Sequence, residues 1–290
     1  MGPGESIRFV GIVGGSNHGK SALLLPILWT MARAGKRVCL VPRECSVKDA
    51  WARLTWIHAS LFPQINLPSL STWMLEPDSV TQEQQQAIKF VLDDLRSGST
   101  IPGCIDVYNA STWDEITEYL VRTDDERRWD CLAVDYIGHL DVTGRTSDAL
   151  EEKKKIFRAA QTLALDWRDG RGLLVISPMQ ANKTSVEKAG EREGHEYGSF
   201  SGNFGAVEYF TSAAQDADLL IGVFQSPELR KEGVVKVSCM KSRGAYFDPF
   251  LVKIDPVTRH ARTHVAPTST VECRQPWQST PFNPRQQKVW

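Results

Sequence analysis

Gly14-Gly15-Ser16-Asn17-His18-Gly19-Lys20-Ser21 fits the pattern Gly, any four residues, then Gly-Lys-Ser. Its flanks agree with it. Arg8-Phe9-Val10-Gly11-Ile12-Val13 reads as a short buried strand, and Ser21-Ala22-Leu23-Leu24-Leu25 opens an apolar helix. A loop of this kind between strand and helix turns backbone N–H groups toward an anion at the positive end of the helix. In that setting Lys20 reaches the β- and γ-phosphates of a nucleotide and the Ser21 hydroxyl holds Mg²⁺, which makes ATP and Mg²⁺ the expected ligands.

Working outward, the apolar helix runs to Ala34 and ends at Gly35, with Pro26 expected to kink it. Lys36 to Pro42 is a short strand, followed by Arg43-Glu44-Cys45-Ser46 and a Trp- and Ala-rich helix through Ser60. Leu61 to Pro77, with three prolines, reads as loop with one short strand. Helical spacing then covers Thr81 to Ser97, and Ile105 to Tyr108 is a strand before a helix capped at Ser111 or Thr112. Trp129 to Tyr136, Gly172 to Ser177 and Asp218 to Gln225 are further apolar strands, with a helix from Glu151 to Trp167. Val234 to Met240 and Phe250 to Ile254 suggest an antiparallel edge. The expected fold is therefore α/β, a mostly parallel central sheet with helices on both faces and an antiparallel C-terminal edge.

In the 290 residues the net charge is only −1, so any contact with nucleic acid must come from local clusters of cations. The six cysteines form no C-x-x-C pair and read as buried thiols of a reducing compartment. No apolar run reaches the roughly 18 residues of a membrane span, and the N-terminus has no basic segment followed by an apolar stretch, so a cytoplasmic protein is expected. Ala181 to Tyr209 is glycine-rich, charged and without period; residues 266–290 carry four prolines and read as an extended tail beyond a domain over 1–265.

Two carboxylates stand where such a fold binds its ligand. Asp135 follows four apolar residues on a central strand, so it emerges at the strand's C-terminal end and can hold the shell of the metal. Glu44, just beyond the second strand, can act as general base toward an attacking water, or be a solvated turn carboxylate.

The ordered set of the phosphate loop, Arg43-Glu44-Cys45, Val134-Asp135-Tyr136-Ile137, Ser177-Pro178-Met179-Gln180-Ala181-Asn182, Gln215-Asp216-Ala217-Asp218 and Lys241-Ser242-Arg243-Gly244 resembles the motor domain of DnaB-type replicative helicases, within the RecA-like ATPases. The resemblance covers residues 5–265, and it departs from the usual pattern at Pro178 and Met179. It implies that Glu44 activates water, that Asp135 is the Walker B residue, and that Gln180 senses the γ-phosphate. It further implies that Lys241 and Arg243 reach the ATP of a neighbouring subunit in a homo-oligomer, a hexameric ring above all. The polar loops after Asp135 and Gln180, about 144–155 and 182–205, would hold single-stranded DNA through Arg145, Lys153, Lys154, Lys155, Lys183, Lys188 and Arg192. The function so implied is an ATP-hydrolysing helicase or translocase in DNA replication, with a loader or other replication protein as a possible partner. The competing reading is an ATP-dependent assembly or switch ATPase of the same fold, recombinase-like, that unwinds nothing.

Overall fold

The computed structural model describes residues 7–141, 149–181, 217–244, 246–255 and 261–264. Along the chain these form β1 (Phe9–Gly14), α1 (Lys20–Arg33), β2 (Arg37–Pro42), α2 (Val47–His58), α3 (Leu70–Leu75), α4 (Gln82–Ser97), β3 (Cys104–Val107), α5 (Trp113–Arg127), β4 (Cys131–Asp135), α6 (Ala149–Gly170), β5 (Leu174–Gln180), β6 (Leu219–Phe224), the short helix α7 (Pro227–Lys231), β7 (Val234–Ser242), β8 (Phe250–Ile254) and β9 (Ala261–His264). The nine strands make one sheet in the order β3-β2-β4-β5-β1-β6-β7-β8-β9. From β3 to β6 every pairing is parallel, and from β6 to β9 every pairing is antiparallel.

All six residues of β1 are buried, which is what a central parallel strand covered on both faces requires. Phe9 and Val13 join a core with Leu132, Val134, Phe157 and Met179 under α5 and α6. Val10 and Ile12 point the other way, into a core with Leu24, Leu28, Trp29, Leu40 and Leu54 under α1, α2 and α4. A third cluster, around Trp56, Leu70, Val80 and Ile88, packs α3 and the start of α4 against α2.

Local signals set most boundaries. Thr81 and Thr112 each cap a helix through a reciprocal capping box, with Gln84 and Glu115 as partners. One expectation is corrected. The stretch 61–77 holds no strand; its ordered element is α3, capped by the Ser69 hydroxyl and buried through Leu70. Pro26 lies inside a helix described without a break from Lys20 to Arg33, with its ring buried and its carbonyl accepting the Thr30 hydroxyl at 2.8 Å. Packing of α1 against both the sheet and α2 holds the helix through the one N–H that proline removes.

Candidate nucleotide site

β1 pairs with β5 on one side and β6 on the other, while the chain continues into β2, on the far side of β4 and β5. The crevice beyond the C-terminal ends of these strands is where open α/β sheets place a ligand. The phosphate loop occupies it. Gly14 ends β1 so close to β6 that a Cβ would lie 2.7 Å from the Val223 carbonyl oxygen, and Gly19, at φ 87°, turns the chain into α1. Glycine meets both demands, the close approach and the left-handed backbone.

Lys20 is 7% exposed. Its ammonium donates to the carbonyls of Gly14 (3.1 Å) and Gly15 (2.9 Å) and to Oε1 of Gln180 (3.0 Å). Gln180 in turn donates to the Ser16 hydroxyl at 3.0 Å. Gln180 therefore lies across the sheet from Gly14, its register partner on β5, and touches both ends of the loop. Burial lowers the Lys20 pKa, opposed by the negative charges of Glu44 and Asp135.

Asp135 closes β4 and is 4% exposed. Burial pushes its carboxyl up to about 6, against the Ser21 hydrogen bond that favours the carboxylate, while the Glu44 charge pushes the same way as burial. Its Oδ1 is buried and unpartnered. A carboxylate oxygen left without a donor, beside a serine hydroxyl, suits a hydrated divalent cation. Among the described residues no cluster of three or more His, Cys, Asp or Glu exists, so such a cation would be held by Ser21, Asp135, water and phosphate oxygens rather than by a protein cage. The Asp135 carbonyl accepts the N–H groups of Arg43 (2.6 Å) and Glu44 (2.9 Å), which brings Glu44 to the same cavity. That cavity has a volume of about 610 Å³ and is lined by Asn17, Gly19, Lys20, Ser21, Glu44 and Asp135, and on its outer side by Arg53, Gln225, Arg230, Val235 and Ile254.

The ring of His18, 8% exposed, stays in the loop's interior, edge-on to Phe224 at 5.3 Å. Burial lowers its pKa to about 4, with the Lys20 and Arg230 charges acting in the same direction.

Two arginines in the cavity wall escaped the motif reading. Arg53 lies nine residues beyond Glu44 on α2, and its charge favours the Asp135 carboxylate. Arg230 donates to the Asn17 carbonyl at 3.2 Å. The Ser226-Pro227 cap signals the helix that carries Arg230. Only the packing of that helix beside the loop reveals its place.

Lys241 and Arg243 are not brought to this cavity. Lys241 pairs with Leu220 and Ser242 with Leu219, at the start of β6, which lies level with Val10 on β1. The pair thus sits at the opposite end of the strands from Gly14, about 13 Å away along the strand direction. There the Arg243 N–H donates to the Asp218 carbonyl at 2.8 Å, and its guanidinium, 46% exposed, pairs with the Asp218 carboxylate at 3.2 Å. The other oxygen of that carboxylate accepts the N–H groups of Arg8 (2.9 Å) and Phe9 (3.0 Å), fastening the first strand. Of the residues expected at DNA, Arg145, Lys183, Lys188 and Arg192 lie outside the described residues, as do Gln215 and Asp216. Lys154, on α6, pairs with Glu151 at 2.5 Å. Among the described residues no helix is long and apolar enough to cross a membrane. Cys39, Cys131 and Cys239 are buried free thiols, while Cys45 and Cys104 are half-buried.

No family model and no curated protein sequence matches the chain. Among solved structures, the ATPase domain of one protein is similar with a TM-score of 0.67 at 15% sequence identity, over 88% of this chain and 84% of that one. A DnaB-like replicative helicase, described with its interactions with primase, gives a TM-score of 0.65 at 16% identity over 87% of this chain. This chain spans 56% of that helicase's length. The mixed nine-stranded sheet, its phosphate loop and these likenesses together make the fold of this chain the RecA-like α/β fold of DnaB-like helicase ATPase domains.

Proposed function

We propose that the protein is an ATP-hydrolysing, DnaB-like motor that acts on single-stranded DNA in replication as a homo-oligomer, in the manner of a hexameric ring. The observation that carries this reading is the convergence of Lys20, Ser21, Asp135 and Glu44 on one cavity beside a phosphate loop, with Gln180 hydrogen-bonded to Lys20. In this reading the loop N–H groups and Lys20 bind the β- and γ-phosphates, and Ser21 and Asp135 hold Mg²⁺, which when bound offsets phosphate charge. Glu44 takes a proton from the attacking water, and Gln180, already bonded to Lys20, reports whether the γ-phosphate is present.

Arg243 cannot reach the phosphate loop of its own chain, so a stabilising role for it on the transferred phosphoryl group requires a second copy. The active site then lies between subunits, and DNA runs along the loops that follow β4 and β5. The test is ATP hydrolysis with and without single-stranded DNA, alongside strand displacement on a forked duplex. Hydrolysis stimulated by the strand, with displacement, supports the motor. ATP-dependent assembly without displacement moves the reading to a switch ATPase, and absence of hydrolysis in a folded, assembled protein overturns both.

A further inference from the structure

Arg43 stands between β2 and Glu44, and its guanidinium points away from the nucleotide cavity into the turn that follows β4. Its Nε and Nη2 both donate to the His139 carbonyl at 3.3 Å. Nη2 also reaches the Asp141 carboxylate at 3.3 Å, and Nη1 the Ser111 hydroxyl at 3.4 Å. The accepting turn is itself anchored. The Asp141 N–H donates to the Ser111 carbonyl at 2.8 Å, the Ile137 N–H to the buried Ser177 hydroxyl at 3.1 Å, and the Glu115 carboxylate accepts the Ser111 N–H at 2.6 Å. One side chain thus joins the connections leaving β2, β3 and β4, one residue away from Glu44.

The Glu44 carboxylate is exposed, and no hydrogen bond from a described residue fixes it. Its place is inherited from its backbone, which hangs on the Asp135 carbonyl and on Arg43. Only arginine offers a planar fork able to satisfy a carbonyl, a hydroxyl and a carboxylate at once; lysine brings a point charge and leucine brings nothing. The exposed Arg43–Asp141 ion pair contributes little energy by itself, so what the fork supplies is direction.

We propose that Arg43 is a positioning residue for Glu44: by clamping the β2 exit to the turn 136–141 it holds the carboxylate at the distance and angle that water activation needs. This rests on the reading of Glu44 as the base. A displacement of about 1 Å in such a group costs up to about 10²-fold in rate.

The test is steady-state ATP hydrolysis by the full chain, with melting curves, for Arg43→Leu, Arg43→Lys, Asp141→Asn, Arg43→Leu/Asp141→Asn and Glu44→Gln. Arg43→Leu is expected to lower kcat by about 10- to 100-fold with KM for ATP within about twofold, because Lys20, Ser21 and Asp135 are untouched. Arg43→Lys should fall between it and wild type, Asp141→Asn should lose less than Arg43→Leu, and the double variant should be no slower than Arg43→Leu. A wild-type kcat in folded Arg43→Leu while Glu44→Gln is inactive overturns the proposal and leaves the base in place. So does a loss in Arg43→Lys equal to that in Arg43→Leu with raised KM and lowered melting, which marks a structural strut. Full turnover in Glu44→Gln overturns the base reading, and the proposal with it.

Discussion

The Nζ of Lys20 lies 3.0 Å from Oε1 of Gln180, so the lysine of the loop and the strand-end glutamine of β5 are in direct contact. The same ammonium also donates to the Gly14 and Gly15 carbonyls, so Lys20 ties the loop to β5.

Replacing Lys20 with alanine should therefore reduce nucleotide binding and turnover to background while leaving the fold intact. The side chain is a buried cation whose charged form burial disfavours, and the Gly14 carbonyl keeps the Ala181 N–H at 3.0 Å as a donor. The melting midpoint should stay within a few degrees of wild type, equivalent to about 1 kcal/mol. Full ATPase activity in this variant would remove the basis of the nucleotide site. Gln180→Ala should bind ATP but turn it over about 10- to 100-fold more slowly, read as kcat against KM.

Arg243→Ala is expected to lose hydrolysis although its own phosphate loop is intact, since a trans arginine contributes about 10³ to 10⁵ in rate. Mixed with Lys20→Ala protein it should recover part of the activity, because some interfaces then combine a sound loop with a sound arginine. A mixture that stays inactive despite demonstrated co-assembly would confine Arg243 to its ion pair with Asp218.

Asp135 predicts a pH-dependent difference. Its native pKa, raised to about 6 from 3.8, means that the native state binds the proton more tightly than the unfolded chain. The stability this contributes is complete below about pH 4 and is lost as pH rises through about 6. Asp135→Asn should escape that loss, so in metal-free urea denaturation the variant should gain on wild type between pH 4 and 6, by an amount on the order of 3 kcal/mol above pH 6. Turnover of ATP should be abolished in the same variant. A stability difference that does not change with pH would show that Asp135 is not buried as an uncompensated carboxylate.

His58 works in the opposite direction. Fully buried, it accepts the Trp29 Nε1–H at 3.1 Å and, through Nε2, meets the Asp94 carboxylate at 2.8 Å. Burial lowers its pKa below 6.5, outweighing the Asp94 hydrogen bond and charge. Below about pH 6.5 the unfolded chain takes up a proton that the native state resists, so stability falls with falling pH. His58→Gln should lower stability at pH 8 by about 1–3 kcal/mol, but with a shallower decline toward pH 5 than wild type. Parallel pH profiles would place the effect elsewhere.

The residue pattern of 9–25 was enough for the core of the fold, because a strand buried on both faces, a glycine turn and an apolar helix leave one arrangement that both buries the strand and satisfies the loop. The order of the later apolar runs likewise announced a parallel sheet, and the helix starts read from apolar spacing at Thr81 and from a serine or threonine cap at Ser111 or Thr112 lie within two residues of those observed. Asp135 was legible as a strand end, whereas the strand read over Gly172 to Ser177 runs on to Gln180, which only the resemblance had singled out. What stayed hidden depends on contacts between distant segments. The α3 helix is held by Trp56 and its neighbours rather than by its own six residues, so no local period revealed it. Pro26 is tolerated because tertiary packing outweighs one lost hydrogen bond. Arg53 and Arg230 acquire meaning only from the fold that sets them beside the loop, and Arg43 only from the turn after β4. The antiparallel return of β7 beside β6 decides that Arg243 lies far from the phosphate loop of its own chain: it is delivered to the opposite end of the strands, which no spacing in the chain records.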